Sequence, residues 1–446
     1  MIINYIKLAI RGMKRRKFFT FISLFGISFT LGILMVILSF LQSELGENAP
    51  LSAKDDFVFI PRITLQKIYY DTLTVIDTLD NNGIAVYDTT FEYKKTGTGM
   101  SQTSLSHNLA SNFLNKFPSA DLITEFMNGG QSDVYKDGIK LPLSTLYADQ
   151  NYWIMFDYNF IEGRPIDKND IELAAPVIIV SSKTAENYFG RQENIIGEEM
   201  VVEEKNYKVI GVYKYVGKFV PFISPDIVMP ISVYQSGQRP DFYMGPSKVM
   251  IKKKSHVSVE QMKTEVNEVS GIIPLDHPDN KYDYNEILLS PMTYNEMFAQ
   301  NIYYDPDPGK SYRYAWWIIY SLLAFFILLP TLNLINLNVS RIMDRSSEIG
   351  VRKAFGAHRG NVIVQFVIEN IVQTIIGGIL GLLLAIVIIK ILNNGGYLGE
   401  AQLVLYPKFY IYSFIATLIF GILSGLIPAL KMSNLQIVNA LKENKL

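Results

Sequence analysis

Few side chains in this sequence are spaced for chemistry. The four histidines, His107, His256, His277 and His358, are scattered. None stands in a His-x-x-x-His or Glu-x-x-His arrangement that would hold zinc. The acidic pairs Asp305/Asp307 and Asp276/Asp279 sit among proline, glycine and tyrosine, where carboxylates form turns rather than a general acid and base. No Gly-x-x-x-x-Gly-Lys-Ser/Thr run cradles a triphosphate, and no Gly-x-Ser-x-Gly elbow exposes a serine. The absence of cysteine excludes thiolate chemistry and disulfides. A catalytic centre, a metal site and a resident cofactor are therefore not expected. One stretch does have a designed look: "DRSSEIGVRKAFGAHRGN", residues 344–361, a basic segment between two long apolar runs. Val351, Ala354 and Phe355 share one helical face, Glu348 and Arg352 make an i,i+4 pair, and Gly356 can end the helix. An apolar face rimmed by charge serves protein recognition.

The elements that must position this stretch are membrane spans. Four apolar runs each cover about 20 residues or more, enough to cross a bilayer. The first is longer than the core of a signal peptide, and no small-x-small cleavage site precedes Gln42-Ser43-Glu44, so it reads as a retained anchor. Lys and Arg crowd the N-terminus (Lys7, Arg11, Lys14 to Lys17), the link holding Arg345, Arg352, Lys353 and Arg359, and the tail holding Lys431, Lys442 and Lys445. The positive-inside rule places all three in the cytoplasm. A net charge of −1, with no large basic block, speaks against a nucleic-acid partner.

The expected fold class is a membrane α-helical bundle of four transmembrane helices with an inserted α+β extracytoplasmic domain. Residues 1–17 form an amphipathic interfacial helix, with Ile2, Ile3, Ile6, Ile10 and Met13 opposite Lys7, Arg11, Lys14 and Arg15. Spans cover 18–43, 314–338, 362–392 and 409–430. The outer domain fills 44–313, a cytoplasmic coupling region 339–361, a short external loop 393–408 and a cytoplasmic tail 431–446. Strand patterns at 57–60, 176–181, 208–213 and 248–254 alternate irregularly with helical ones at 104–117 and 258–273, hence α+β. A segment rich in Gly, Asp and Asn around 77–100 reads as an insertion or hairpin tip. Within the third run, Gln365, Glu369 and Gln373 share one helical face and read as a polar seam against a neighbouring helix, ahead of a proton relay. Gly377/Gly381 and Gly421/Gly425 offer close-approach faces for helix packing and point to dimerisation.

Residues 341–370 resemble the signature of the MacB/FtsX-like permeases of ABC transporters, the type VII mechanotransmission family. Asn336, Arg345, Glu348, Ile349, Gly350, Arg352, Lys353, Ala354, Gly356 and Ala357 meet it, then Gln365, Phe366 and Glu369; two serines between Arg345 and Glu348 are a small departure. A second block in the outer region matches through Gly163-Arg164, Phe189-Gly190, Ile196-Gly197 and the run from Val209 to Val212. The ending matches through Pro428, Ala429, Ala440 and Leu441. Only 50–150 is weakly matched.

The resemblance implies porter-like and sabre-like outer subdomains and a location in the bacterial inner membrane. It makes 348–357 a coupling helix seated in a cytoplasmic ABC ATPase subunit, which alone would bind ATP and Mg. It further implies a second permease copy or paralogue, and the family's periplasmic adaptor and outer-membrane channel as partners beside membrane lipid. The expected role is mechanotransmission, driving export or extraction of a peptide, toxin, drug or lipoprotein. Two alternatives stay open: a regulatory scaffold for a cell-wall hydrolase or sensor, and a lipoprotein extractor. The aromatic-rich 213–244 stretch would supply the extractor's apolar outer surface.

Overall fold

The computed structural model describes residues 2–47, 49–75, 78–79, 85–86, 90–114, 117–136, 138–217, 221–234, 243–276, 283–343, 359–395, 403–408 and 410–415, with single positions to 426. Residues 1–46 with 316–446 form one compact unit, and residues 47–315 form another.

The membrane unit opens with α1 (Ile2–Arg15), whose Ile3, Ile6 and Ile10 are exposed while Ala9 is buried. An exposed apolar face suits a helix lying in a bilayer interface. Arg16 interrupts the helix at φ −118° and ψ 62°. Thr20 Oγ1 ties the restart back to the Met13 carbonyl at 3.1 Å. α2 (Lys17–Leu45) buries a stripe of Ile27, Leu31, Leu34 and Met35, the i, i+4, i+7, i+8 pattern of one helix face. Phe21, Phe25 and Phe29 stack along its exposed side, their ring centroids 6.1 and 5.7 Å apart.

In the outer unit, β1 (Phe57–Ile60) leads into β2 (Ile63–Val75). The small pair β3 (Thr78–Leu79) and β4 (Ala85–Val86) follows. β5 (Thr90–Thr103) then returns antiparallel to β2, so the expected insertion is the far end of a long hairpin. α3 (His107–Phe113) is shorter than the 104–117 expectation. Leu105 exchanges backbone hydrogen bonds with Ser247, which leaves Ser106 as the N-cap, accepting from the Leu109 amide. A second long hairpin, β6 (Ala120–Lys136) with β7 (Ile139–Ala148), runs into α4 (Gln150–Met155), capped by Asp149. There follow β8 (Phe160–Gly163), α5 (Lys168–Glu172), β9 (Val177–Ser181), α6 (Ser182–Phe189), β10 (Glu199–Val202), β11 (Lys205–Tyr213) and β12 (Ile227–Pro230). β13 (Ser247–Lys253), α7 (Val259–Ser270), β14 (Glu286–Leu289) and α8 (Tyr294–Ile302) complete the unit, both helices opening on capping boxes.

The main sheet runs β1-β13-β6-β7-β12-β9-β11-β10, with β8 beside β11; β14-β2-β5 form a second sheet. The main sheet is mixed, since β7/β12 and β9/β11 pair parallel while its other pairs are antiparallel. One core cluster joins Val58, Ile63, Leu109, Ile251, Met262 and Leu289, and another joins Ile178, Val180, Met200, Val209, Ile227 and Met229. Phe57, Phe59, Phe126, Tyr152, Phe156 and Phe222 are buried in mutual ring contact. The hydroxyls of Tyr152, Tyr158 and Tyr213 donate to the carbonyls of Phe222, Ile223 and Pro225, so these rings are buried with their polar ends satisfied. Among the described residues of 213–244, the large apolar side chains face inward rather than forming an apolar outer surface. Tyr213, Phe222, Ile223, Ile227, Val228 and Met229 are all core, because that chain segment passes through the sheet and the aromatic cluster. Residues 218–220 and 235–242 lie outside the described residues.

Two further helices return to the membrane unit. α9 (Pro308–Met343) starts where Asp307 Oδ1 accepts from the Gly309 amide at 2.8 Å, so Asp305 and Asp307 do shape a turn. α10 (Arg359–Gly395) ends near Asn393, whose side chain accepts from the Leu403 amide (2.9 Å) and donates to the Leu403 carbonyl (3.0 Å). Among the described residues, three helices are long and apolar enough to cross a membrane, over Lys17–Leu45, Pro308–Leu328 and Ile363–Gly395. The fourth expected span lies mostly outside the described residues.

Candidate functional site

The sequence expectations converge on α10 and the segment before it. Glu348, Ile349, Val351, Arg352, Lys353, Ala354, Phe355, Gly356 and Ala357 lie outside the described residues, as do Gly421 and Gly425. What the structure does give is the segment's anchorage: α9 ends at Met343 and α10 begins at Arg359.

α10 packs on α2 through its glycines. A Cβ at Gly377 would lie 2.6 Å from Ile27 Cγ2, and one at Gly381 would lie 2.8 Å from the Ser28 carbonyl oxygen. The partner surface is equally bare, since a Cβ at Gly32 would lie 3.3 Å from the Gly381 carbonyl oxygen and 3.1 Å from Leu384 Cδ2. Gly377/Gly381 therefore serve contact within one chain, the close approach that small residues permit in lipid. Contacts at 27–377, 28–381 and 32–384 rise together in both helices, so α2 and α10 run parallel. The sequence reading missed the α2 half of this contact. Its signal was present as Ser28-x-x-x-Gly32.

The polar residues of α10 lie below this contact. Glu369, Asn370, Gln373 and Thr374 are buried, Gln365 is half-buried, and the Asn370 amide donates to the Phe366 carbonyl at 3.0 Å. α10 meets both α1 and α2, and continuing its register down one turn sets Gln373 level with the buried Ser23. Polar groups buried among helices, away from lipid, form a seam.

In the outer unit the matched residues build scaffold. Gly163 has φ +78°, and a Cβ there would run into the Ile210 carbonyl oxygen, so only glycine lets β8 pair with β11. Arg164 then forks onto Asp170, at 2.6 and 3.0 Å, and reaches Asp167 at 3.2 Å. The guanidinium bonds hold the Asp170 carboxyl below its usual range. Asp167 and Asp170 also close a capping box on α5. His107 lies 2.8 Å from Glu125, whose hydrogen bond raises the imidazole pKa; that pairing makes it an ion-pair partner. Among the described residues no group of three or more His, Cys, Asp or Glu side chains is placed to hold a metal ion.

Long apolar helices flanking an inserted domain of mixed sheet and helix define a membrane protein with a periplasmic domain. Residues 20–269 match the model of the MacB-like periplasmic core domain, and residues 320–437 match that of the FtsX-like permease C-terminal region. The chain belongs to the MacB/FtsX family of ABC transporter permeases. It is 23% identical over 336 residues to the pyoverdine export ATP-binding/permease protein PvdT of Pseudomonas syringae pv. syringae, covering 74% of this chain and 47% of that one. It thus spans about half the length of that relative. The uncharacterized ABC transporter permease YvrN of Bacillus subtilis is 24% identical over 327 residues, 71% of this chain and 74% of that one. A domain of a putative permease protein from Porphyromonas gingivalis superposes with a TM-score of 0.37 at 16% identity, covering 55% of this chain and 92% of that one.

Proposed function

We propose that this chain is a permease subunit that converts ATP hydrolysis on a separate cytoplasmic ATPase into movement of its periplasmic domain. The observation that carries this reading is the parallel, glycine-tight contact of α10 with α2. α10 starts directly after the 344–358 segment, and α2 leads directly into the outer unit. A push on the segment from inside would shift α10, and a contact this close would carry α2 along, because packed interfaces transmit displacement. In this reading Glu348 to Ala357 form the handle, the termini and the 339–361 region are cytoplasmic, and a fourth span covers 409–430. The partner supplies the ATP and Mg site, and two permeases form the working unit. Export of a periplasmic substrate is supported by the role in the name of the pyoverdine relative.

The handle is tested at its apolar face, because exposed ion pairs contribute little to association. Phe355→Asp should weaken binding of the ATPase by about 2 kcal/mol, roughly thirtyfold in Kd, as expected of a central interface residue. Arg352→Ala should cost about 1 kcal/mol. Co-purification of the ATPase with each full-length variant reads both. An undiminished complex with Phe355→Asp would refute the handle.

A further inference from the structure

Three glycines fall within five residues of α10, and helix packing explains two of them. Gly377 and Gly381 touch α2 so closely that a Cβ would clash. Gly378 does not: a Cβ there would meet only Leu31 Cδ1, at 3.9 Å, an ordinary contact. Its missing side chain instead floors a cleft of 280 Å³ lined by Leu31, Met35, Leu382, Tyr410 and Phe414. Glycine is among the poorer helix formers, so a position where packing leaves room for a Cβ calls for another reason. Left empty, such a cleft would forfeit dispersion contacts along its whole lining.

We propose that the cleft floored by Gly378 holds an acyl chain of a phospholipid from the periplasmic leaflet. Leu31 is the middle residue of α2 and Met35 lies one turn further along, in the half that leads to the periplasmic domain, so the cleft opens from the bilayer centre into that leaflet's hydrocarbon. Almost every lining group is aliphatic or aromatic carbon, the complement of a hydrocarbon chain and of no charged or peptidic ligand. Size selects the occupant further. A helix is about 10 Å across with a rise of about 1.5 Å, so each of its residues fills roughly 120 Å³. The cleft admits a slender chain and excludes a helix. The proposal rests on the membrane placement of α2 and α10 and is independent of any ATP-driven motion.

The full-length protein is reconstituted in phosphatidylethanolamine/phosphatidylglycerol vesicles containing a phospholipid with a photoreactive diazirine in mid-chain. Illumination should label peptides containing 378–382 or 410–414, and a diazirine on the headgroup should not. In native mass spectrometry from mild detergent, the wild type should retain phospholipid through delipidation. Gly378→Leu, whose Cβ meets only Leu31 Cδ1 at 3.9 Å and whose side chain competes for the cleft, should lower that occupancy at least fivefold, while Leu322→Ala on the exposed face of α9 leaves it unchanged. Equal retention by Gly378→Leu, or equal labelling by the two diazirine lipids, would overturn the proposal. So would a change of oligomeric state with lipid retention intact, which would assign the cleft to side chains of a second copy. Labelling is read on the wild type, so the test survives a Gly378→Leu that fails to fold.

Discussion

The two units draw their main cohesion from different sources. The outer unit fills its interior with large rings: Phe57, Phe59, Phe126, Tyr152, Phe156 and Phe222 are buried against one another. The membrane unit makes its tightest contact by omitting side chains, at Gly32, Gly377 and Gly381. The solvents account for the difference. In water, apolar area removed from solvent is rewarded roughly in proportion to its size. In lipid that reward vanishes, and what remains is dispersion between surfaces brought close, which small residues allow. Removing atoms should therefore damage the outer unit, and adding them should damage the membrane unit.

The largest effect is expected at the rings. Phe126 is fully buried between Tyr152 and Phe222, at centroid distances of 5.8 and 5.0 Å. Phe126→Ala should destabilise the outer unit by about 4 kcal/mol. Hydrogen exchange of β6 and β12 amides in the full chain measures it, and a loss below about 1 kcal/mol would break the first half of the comparison.

Gly381→Leu tests the other half. Leucine is the better helix former, yet its Cβ would meet the Ser28 carbonyl oxygen and Leu31. A loss of about 3 kcal/mol is expected, read as a lowered thermal midpoint in detergent. A neutral or stabilising outcome would mean that α2 and α10 are not held by close approach.

A titration sharpens what burial costs in the aqueous unit. Desolvation pushes the Asp149 carboxyl up to about 6, against lowering by hydrogen bonds from Thr124 and the Glu125 and Tyr152 amides. The unfolded chain titrates near 3.8. The fold thus holds this proton more tightly than the unfolded chain does. The stabilisation is complete below about pH 4, is lost as pH rises from there through 6, and does not change further above that, on the order of 3 kcal/mol in all. Asp149→Asn keeps an N-cap acceptor and should flatten that slope. Chemical denaturation of both proteins across this window reads the difference, and parallel curves would assign the slope to other groups.

The smallest effect is expected on α9. Trp317, Ile318, Leu322, Phe325 and Leu328 are all exposed, unlike the buried stripe of α2. Leu322→Ala should change the thermal midpoint by the equivalent of less than about 0.5 kcal/mol. Loss of a dimer on this substitution would show that a second copy covers the face.

This contrast also explains what could be read from sequence. Apolar runs stand out because a bilayer demands them, and among the described residues three of them are long helices. The strand patterns at 57–60 and 248–254 fall on β1 and β13, whose aliphatic residues fill the core. The long hairpins escaped, because strands such as β6 carry Gly129-Gly130 and many polar residues and hold their register through partners distant in sequence. Site residues fared unevenly. Gly377 and Gly381 were recognisable as small residues one turn apart, but which helix they meet depends on tertiary packing. Gly163 and Arg164 stood out only through resemblance, and their role is to hold β8 and α5 in place.

The amide of Asn393 has a consequence for evolution of the connection it guards. By bonding both backbone groups of Leu403, it imitates a neighbouring strand and fastens the exit of α10 to the start of the next run. Whatever lies between the two residues becomes a closed ring whose ends are already joined. Lengthening such a ring is inexpensive, about 0.6 kcal/mol for each doubling, so a decoration inserted between 396 and 402, after the end of α10 at Gly395, leaves that helix untouched. That connection is where an epitope can be spliced to report which face of the membrane it sees.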